Sequence, residues 1–238
     1  MEPKMNVVLV HGAWADGSSW SKVIPLLDPK QFNVTAVQLP LTSLEDDIAV
    51  TRNALAAQTG PTVLVGHSYG GAVITGAGND APNVTALVYI AAFGLDEGES
   101  LQGLSSQGPA TAGAAQIRPD AHGFLWIDRE AFAQVFAGDV DPVDARMMAV
   151  VQRPLSLKSF SGKSGPPAWK HIPSWYLVSS NDQMIPPQAE EFMAKRMGAT
   201  VRSVPASHAS MVSHPKEVVE MIGAAVEAGA AAATAGTK

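Results

Sequence analysis

A serine with glycine two residues to either side, Gly66-His67-Ser68-Tyr69-Gly70, follows the apolar run Thr62–Val65 and precedes Ala72–Thr75. Strand, tight turn and helix with a hydroxyl at the apex form the pattern of a nucleophile elbow, in which glycines let strand and helix approach closely. A serine hydroxyl becomes a useful nucleophile only when a base takes its proton and an acceptor orients that base. Six histidines compete for the role of base. His208 sits in the small-residue loop Pro205–Ala209, just beyond the last expected strand. His214 precedes Pro215 at a helix start, His122 and His171 fall in or beside an irregular stretch, and His67, adjacent to the serine, should diverge from it. His11 ends a strand at the same edge as Ser68. For the acid, Asp182 follows the penultimate strand in Ser179–Pro187, and Asp96, after the fourth strand, is its rival. Acyl transfer also needs N–H donors for an oxyanion. The amide of Tyr69, opening a helix, supplies one, and that of Ala13, after the His11-Gly12 bend, is the candidate second.

Those residues need a scaffold that brings strand ends together. Asn6–Val10 is a short, β-branched apolar run of the kind buried on both faces of a parallel sheet. Ser18-Ser19 should open a helix running through Leu27, and Phe32–Leu39 gives the second strand. Ser43-Leu44-Glu45-Asp46 reads as a helix start with acidic residues in the first turn. Strands are expected again at Thr62–Val65, Thr85–Ala91, Ser174–Ser179 and Thr200–Val204, with helices from Pro187 to Met197 and from Pro215 to Val226. From Ala228 onward the chain is Ala/Gly/Thr-rich and is expected to fray. This alternation predicts an α/β fold: a doubly wound, mostly parallel sheet of about six strands. Between Leu95 and Gly165 the rhythm stops, and two helices are expected, at about 129–137 and 142–152. We read residues 95–165 as a helical cap inserted in a core formed by 1–94 and 166–238.

The 238 residues suffice for one α/β domain with an insertion. Net charge is −6 with no Lys/Arg block, which argues against nucleic acid or an anionic membrane as partner. The absence of cysteine excludes disulfides, thiolate metal sites and a cysteine nucleophile. The stretch from Met1 to Val10 contains nothing long enough for a signal-peptide core, and the cytoplasm is the default expectation. No metal and no cofactor are expected: Gly66–Gly71 lacks the Lys-Ser/Thr ending of a P-loop, and Gly76-Ala77-Gly78 lacks the third glycine of a dinucleotide fingerprint.

The chain resembles the α/β-hydrolases, and more narrowly the branch of plant methylesterases and hydroxynitrile lyases with their bacterial relatives. The resemblance rests on Val8–Trp14, Gly66–Gly71, Asp182 with Ile185-Pro186-Pro187, and Ser207-His208 with Met211. It implies Ser68 as nucleophile, His208 as base, Asp182 as its partner, and the Ala13 and Tyr69 amides as oxyanion hole. The order Ser68, Asp182, His208 favours Asp182 over Asp96. The lyases of this branch place a lysine after the catalytic histidine. Ala209 stands there, which weakens the lyase reading and favours ester hydrolysis. The expected substrate is a small, hydrophobic carboxylic ester in a pocket built from Trp14, Trp126, Phe136, Met147 and Met211. A hydroxynitrile lyase-like enzyme and a non-hydrolytic binding or signalling protein are the alternatives. The oligomeric state is open, with a homodimer among the options.

Overall fold

A computed structural model describes residues 4–108 and 110–235, with side chains to Gly229. Four strands come first: β1 (Met5–Val10), β2 (Phe32–Val37), β3 (Thr62–His67) and β4 (Val84–Ile90). Between β2 and β3 lies α1 (Leu44–Ala56), and α2 (Tyr69–Ala77) follows β3 directly. After β4 come α3 (Leu101–Ser105), β5 (Ile117–Pro119), β6 (Phe124–Ile127), α4 (Phe132–Phe136), α5 (Pro142–Val151), β7 (Leu155–Ser156) and α6 (Leu157–Ser161). The chain then returns to β8 (Ser174–Ser179), α7 (Pro187–Arg196), β9 (Thr200–Val204), the single turn α8 (Ser210–Ser213) and α9 (Pro215–Ala235).

Six strands form one parallel sheet in the order β2-β1-β3-β4-β8-β9. The order reverses beside β1, so the carboxyl ends of β1 and β3 meet where ligands gather in doubly wound sheets. Val7–Val10, Val63–Val65 and Ala86–Ile90 are fully buried, as strands covered by helices on both faces must be. Helix α2 is buried over its whole length, and every residue from Tyr69 to Ala77 is apolar, small or satisfied by a hydrogen bond. Such a helix is held by packing on all sides rather than by an amphipathic stripe.

Three local expectations change. No helix runs from Ser18 to Leu27. Two short 3-10 turns, Gly17–Trp20 and Ile24–Leu26, stand there instead, the first capped by Asp16, whose carboxylate accepts from Ser18 N at 2.7 Å. Pro25, which lacks an N–H and would collide with the carbonyl one turn back, breaks an α-helix at that point. At the far end α9 continues through the Ala-rich tail to Ala235 rather than fraying at Ala228, consistent with alanine's high helix propensity.

The stretch between β4 and β8 holds a second, antiparallel sheet, β5-β6-β7, where only helices were expected. Its hairpin is built on an Asx turn. Asp120 Oδ1 accepts from His122 N (2.8 Å) and Phe124 N (3.0 Å), with Gly123 at φ +81°. Phe124-Leu125-Trp126-Ile127 then alternates half-buried with buried, the period-two signature of a strand. Leu125 and Ile127 face the core, and Trp126 faces the other way.

Candidate active site

Ser68 has φ 53° and ψ −121°, a left-handed conformation that a non-glycine residue adopts only where its surroundings enforce it. The enforcement is visible. Ser68 N donates to Ile90 O (3.2 Å), while Ser68 O accepts from Gly71 N (2.9 Å) and Phe93 N (3.0 Å). The turn is also sterically closed: a Cβ on Gly66 would lie 2.6 Å from Gly70 O, and one on Gly70 would lie 2.5 Å from Val10 O. Only glycine fits at either position, and the elbow is therefore wedged between β4 and the end of β1.

From this apex the Ser68 hydroxyl is 2.8 Å from His208 Nε2. His208 Nδ1 donates to Asp182 Oδ2 at 2.6 Å, and Asp182 Oδ1 accepts from Met184 N (2.6 Å) and Ile185 N (3.0 Å). All three side chains are buried. With its Nδ1 proton held by Asp182, His208 presents Nε2 as the acceptor facing the hydroxyl, the tautomer a base needs. The loops that carry the pair are tied together: Asn181 N donates to Ala206 O (3.0 Å) and Asn181 Nδ2 to Pro205 O (2.9 Å). On the other side Ala209 N donates to Phe136 O (3.0 Å), and Ser207 Oγ to Asp139 Oδ1 (2.5 Å). Asp96, the rival acid, pairs instead with Lys170 at 2.6 Å and does not touch His208.

Two further histidines are structural, both neutral. His67 Nε2 donates to the His208 carbonyl (2.8 Å), and burial holds its imidazole well below the usual range. His11 accepts from Leu39 N at Nε2 (3.0 Å) and donates from Nδ1 to Gly12 O (2.8 Å). Burial pushes it down to about 4. His11 thereby fixes the loop after β1 that carries Ala13 and Trp14. The next link is Trp14, at φ +58°, whose Nε1 donates to Leu125 O (2.9 Å) and binds that loop to β6. On the other side of the elbow the Tyr69 hydroxyl donates to Asp47 Oδ2 (2.5 Å), and Asp47 also accepts from Leu41 N (2.8 Å). Burial raises the Asp47 carboxyl to about 6.

Ser68 and His208 open into a cavity of about 550 Å³, with Ala13, Trp14 and Tyr69 beside them. Its remaining wall is largely apolar: Leu101, Leu104, Ile117, Leu155 and Phe160 from the stretch after β4, and Ile185, Phe192 and Met193 around α7. No Asp, Glu, Lys or Arg is among the described residues that line it. Of the five residues expected at the pocket, Trp14 alone is in that wall. Trp126 points to the opposite face of its strand, with Nε1 on Asp120 Oδ2 (3.0 Å). Phe136 is buried behind the base, its ring edge-on to His208 at 4.8 Å and stacked on Phe132. Met211 is fully buried in the core, and Met147 is 58% exposed on the outer face of α5. The facing of these large apolar residues depends on a β-hairpin and on helix rotation, which composition does not reveal.

The family model described as the alpha/beta hydrolase family matches residues 7–221. The chain belongs to the alpha/beta hydrolase family. Among its relatives, a pyrethroid hydrolase of Sphingobium wenxiniae is 26% identical, the match covering 91% of this chain and 86% of that protein. Methylesterase 1 of Arabidopsis thaliana is also 26% identical, over 80% of this chain and 83% of the relative. The crystal structure of a pyrethroid hydrolase from Sphingobium faniae superposes with a TM-score of 0.80 at 26% identity, covering 93% of this chain and 96% of that one.

Proposed function

We propose that this chain is a carboxylic ester hydrolase that works through an acyl-enzyme on Ser68. The observation that carries the reading is the unbroken relay from Asp182 through His208 to Ser68, ending at an uncharged apolar cavity. His208 Nε2 takes the hydroxyl proton as Ser68 Oγ attacks the ester carbonyl carbon. The carbonyl oxygen gains the negative charge, and the Ala13 and Tyr69 amides receive it, aided by the N-terminus of α2. Collapse breaks the bond to the alkoxy oxygen, which leaves as the alcohol with the proton from His208. Water then repeats the sequence on the acyl-enzyme, giving its proton to His208 and releasing the carboxylic acid and the free serine.

Residues 95–165 act in this reading as a cap over the core formed by 1–94 and 166–238, and their apolar side chains select the ester. Relatives named as a pyrethroid hydrolase and a methylesterase support ester hydrolysis. Ala209, buried and bonded through its N–H to Phe136 O, offers no ammonium to a departing cyanide, which tells against the lyase reading. The test is steady-state turnover of a p-nitrophenyl ester. Turnover by the wild-type chain that disappears in Ser68→Ala supports the proposal, and ligand binding without turnover would end it.

A further inference from the structure

Asp182 has a second carboxyl beside it. Glu190, in the first turn of α7, is fully buried, and Ser179 joins it to Asp182: Ser179 N donates to the Glu190 carboxyl and Ser179 O accepts from Asp182 N (3.1 Å), which makes the two carboxyls neighbours. Glu190 Oε2 accepts from Ser179 N at 3.1 Å, while Oε1 receives no donor from the protein. The titratable groups packed beside it are Asp182 from the loop after β8 and the Tyr176 phenol on β8, with Glu191 exposed at the next position of its own helix; none of the three is a cation. Two carboxyls this close, in a dry site, hold one proton between them. The donor count decides where it sits. Asp182 has three N–H donors, from His208, Met184 and Ile185, and Glu190 has one. Each hydrogen bond to a carboxylate favours its charged form, so Asp182 carries the charge and Glu190 the proton. Burial and the neighbouring Asp182 both push the Glu190 carboxyl well above the usual carboxylate range.

We propose that Glu190 is a positioning residue of the active site, a neutral carboxylic acid whose O–H donates to Asp182 and so fixes the carboxylate that orients His208. The inference rests on the ester-hydrolase reading for its kinetic consequence. The Glu190 hydrogen bond completes the set of donors around Asp182 and restrains it from rotating away from the His208 Nδ1–H. Glu190 touches neither substrate nor the reacting atoms, and its influence travels through Asp182 alone.

The experiment pairs two variants and two readouts: Glu190→Gln, which keeps a neutral donor of the same shape, and Glu190→Leu, which removes it. Ester turnover is followed against pH, and the His208 imidazole resonance is titrated by NMR in the same proteins. The expected result is that Glu190→Leu lowers kcat about 10- to 100-fold with KM little changed, the loss of one buried hydrogen bond to a charge. Its acidic limb and the His208 titration both move to higher pH, because a carboxylate short of one donor attracts the imidazolium proton more strongly. Glu190→Gln restores kcat to within a few-fold of wild type and leaves both midpoints in place. A fall of about one pH unit or more in the His208 midpoint of Glu190→Gln would show that wild-type Glu190 is an anion and overturn the proposal. So would a Glu190→Leu protein with wild-type kcat and pH profile. Wild-type protein without ester turnover would sink the hydrolase reading instead, and the NMR titration would still decide the state of Glu190.

Discussion

From β1 to β4, and again from β8 to β9, the catalytic side chains sit on loops at the carboxyl ends of parallel strands, loops that main-chain hydrogen bonds such as Ser68 N to Ile90 O and Asn181 N to Ala206 O hold in place. Between β4 and β8 the elements are short, the sheet is antiparallel, and the contribution to the site is an apolar wall. The two regions touch the same cavity with different kinds of precision. The relay of Ser68, His208 and Asp182 depends on placements held to within about 0.5 Å, and loops anchored on the sheet supply them. The wall needs volume and lack of charge, which several packings of Leu, Ile and Phe could provide. Chemistry and selectivity are thus divided between two parts of the chain that many links hold together, among them Trp14 Nε1 to Leu125 O, Arg153 to Leu39 O, Gly113 N to Gln183 O and Ala209 N to Phe136 O.

Substitutions in the sheet region should have the largest effects. Ser68→Ala or His208→Ala is expected to cut kcat/KM for a p-nitrophenyl ester by about 10⁵- to 10⁶-fold with the fold intact by circular dichroism. Asp182→Asn should cost about 10⁴-fold, because an amide favours the wrong tautomer of His208. Asp96→Asn should change kcat/KM less than about threefold, since Asp96 serves an exposed ion pair with Lys170. A silent Asp182→Asn would break the division of labour at its strongest point.

Acid sensitivity should also arise in the sheet region. The unfolded chain protonates its histidines near 6.5, whereas folded His11 resists protonation down to about 4 and burial holds His67 well below the usual range too. Taken alone, the histidines make stability fall as pH drops from 6.5 toward 4, by up to about 3 kcal/mol for His11. Asp47 and Glu190 work against this: burial raises the Asp47 carboxyl from 3.8 to about 6 and holds Glu190 well above the usual carboxylate range, so each proton stabilises the fold as pH falls toward the unfolded value. Urea midpoints should therefore decline between pH 6.5 and 4.5 more steeply in Asp47→Asn than in the wild type, where the opposing groups largely offset one another. Identical profiles in the two proteins would contradict the opposed titrations of Asp47 and the buried neutral histidines.

The smallest effects belong to the wall. Leu104→Trp should raise KM about tenfold for bulky aryl esters while leaving acetate esters within about twofold, because it fills volume that only large substrates use. Trp126→Ala and Met147→Ser, which lie outside the cavity, should leave both substrates within about twofold. Equal losses on both substrates in Leu104→Trp would mean that the wall helps to position the catalytic groups, and the separation of roles would fail.

This contrast also explains what could be read from the residues alone. Runs such as Asn6–Val10 and Thr62–Val65 announce themselves because a strand buried on two faces must be apolar throughout. Ser68, Asp182 and His208 could be nominated because each follows such a run at the same edge of the sheet. The pocket could not, since Trp126 and Phe136 are as hydrophobic as Leu104 and Phe160 and differ only in facing. The hairpin at Asp120–Gly123 has a legible signal, an Asx-turn residue before the alternating Phe124–Ile127. Glu190 also has one. It lies one turn before Met193 and Ala194 on the buried stripe of α7, where an acidic side chain has no place without a partner.

The central claim, a covalent acyl-enzyme on Ser68, is tested most directly by quenching the wild-type protein with a slowly released aryl ester and measuring the intact mass, then mapping the adduct by peptide digestion. The account predicts a mass increase of one acyl group, localised to the peptide carrying Ser68 and absent from Ser68→Ala. Full ester turnover by Ser68→Ala, or an acyl group carried on any other residue, would contradict it.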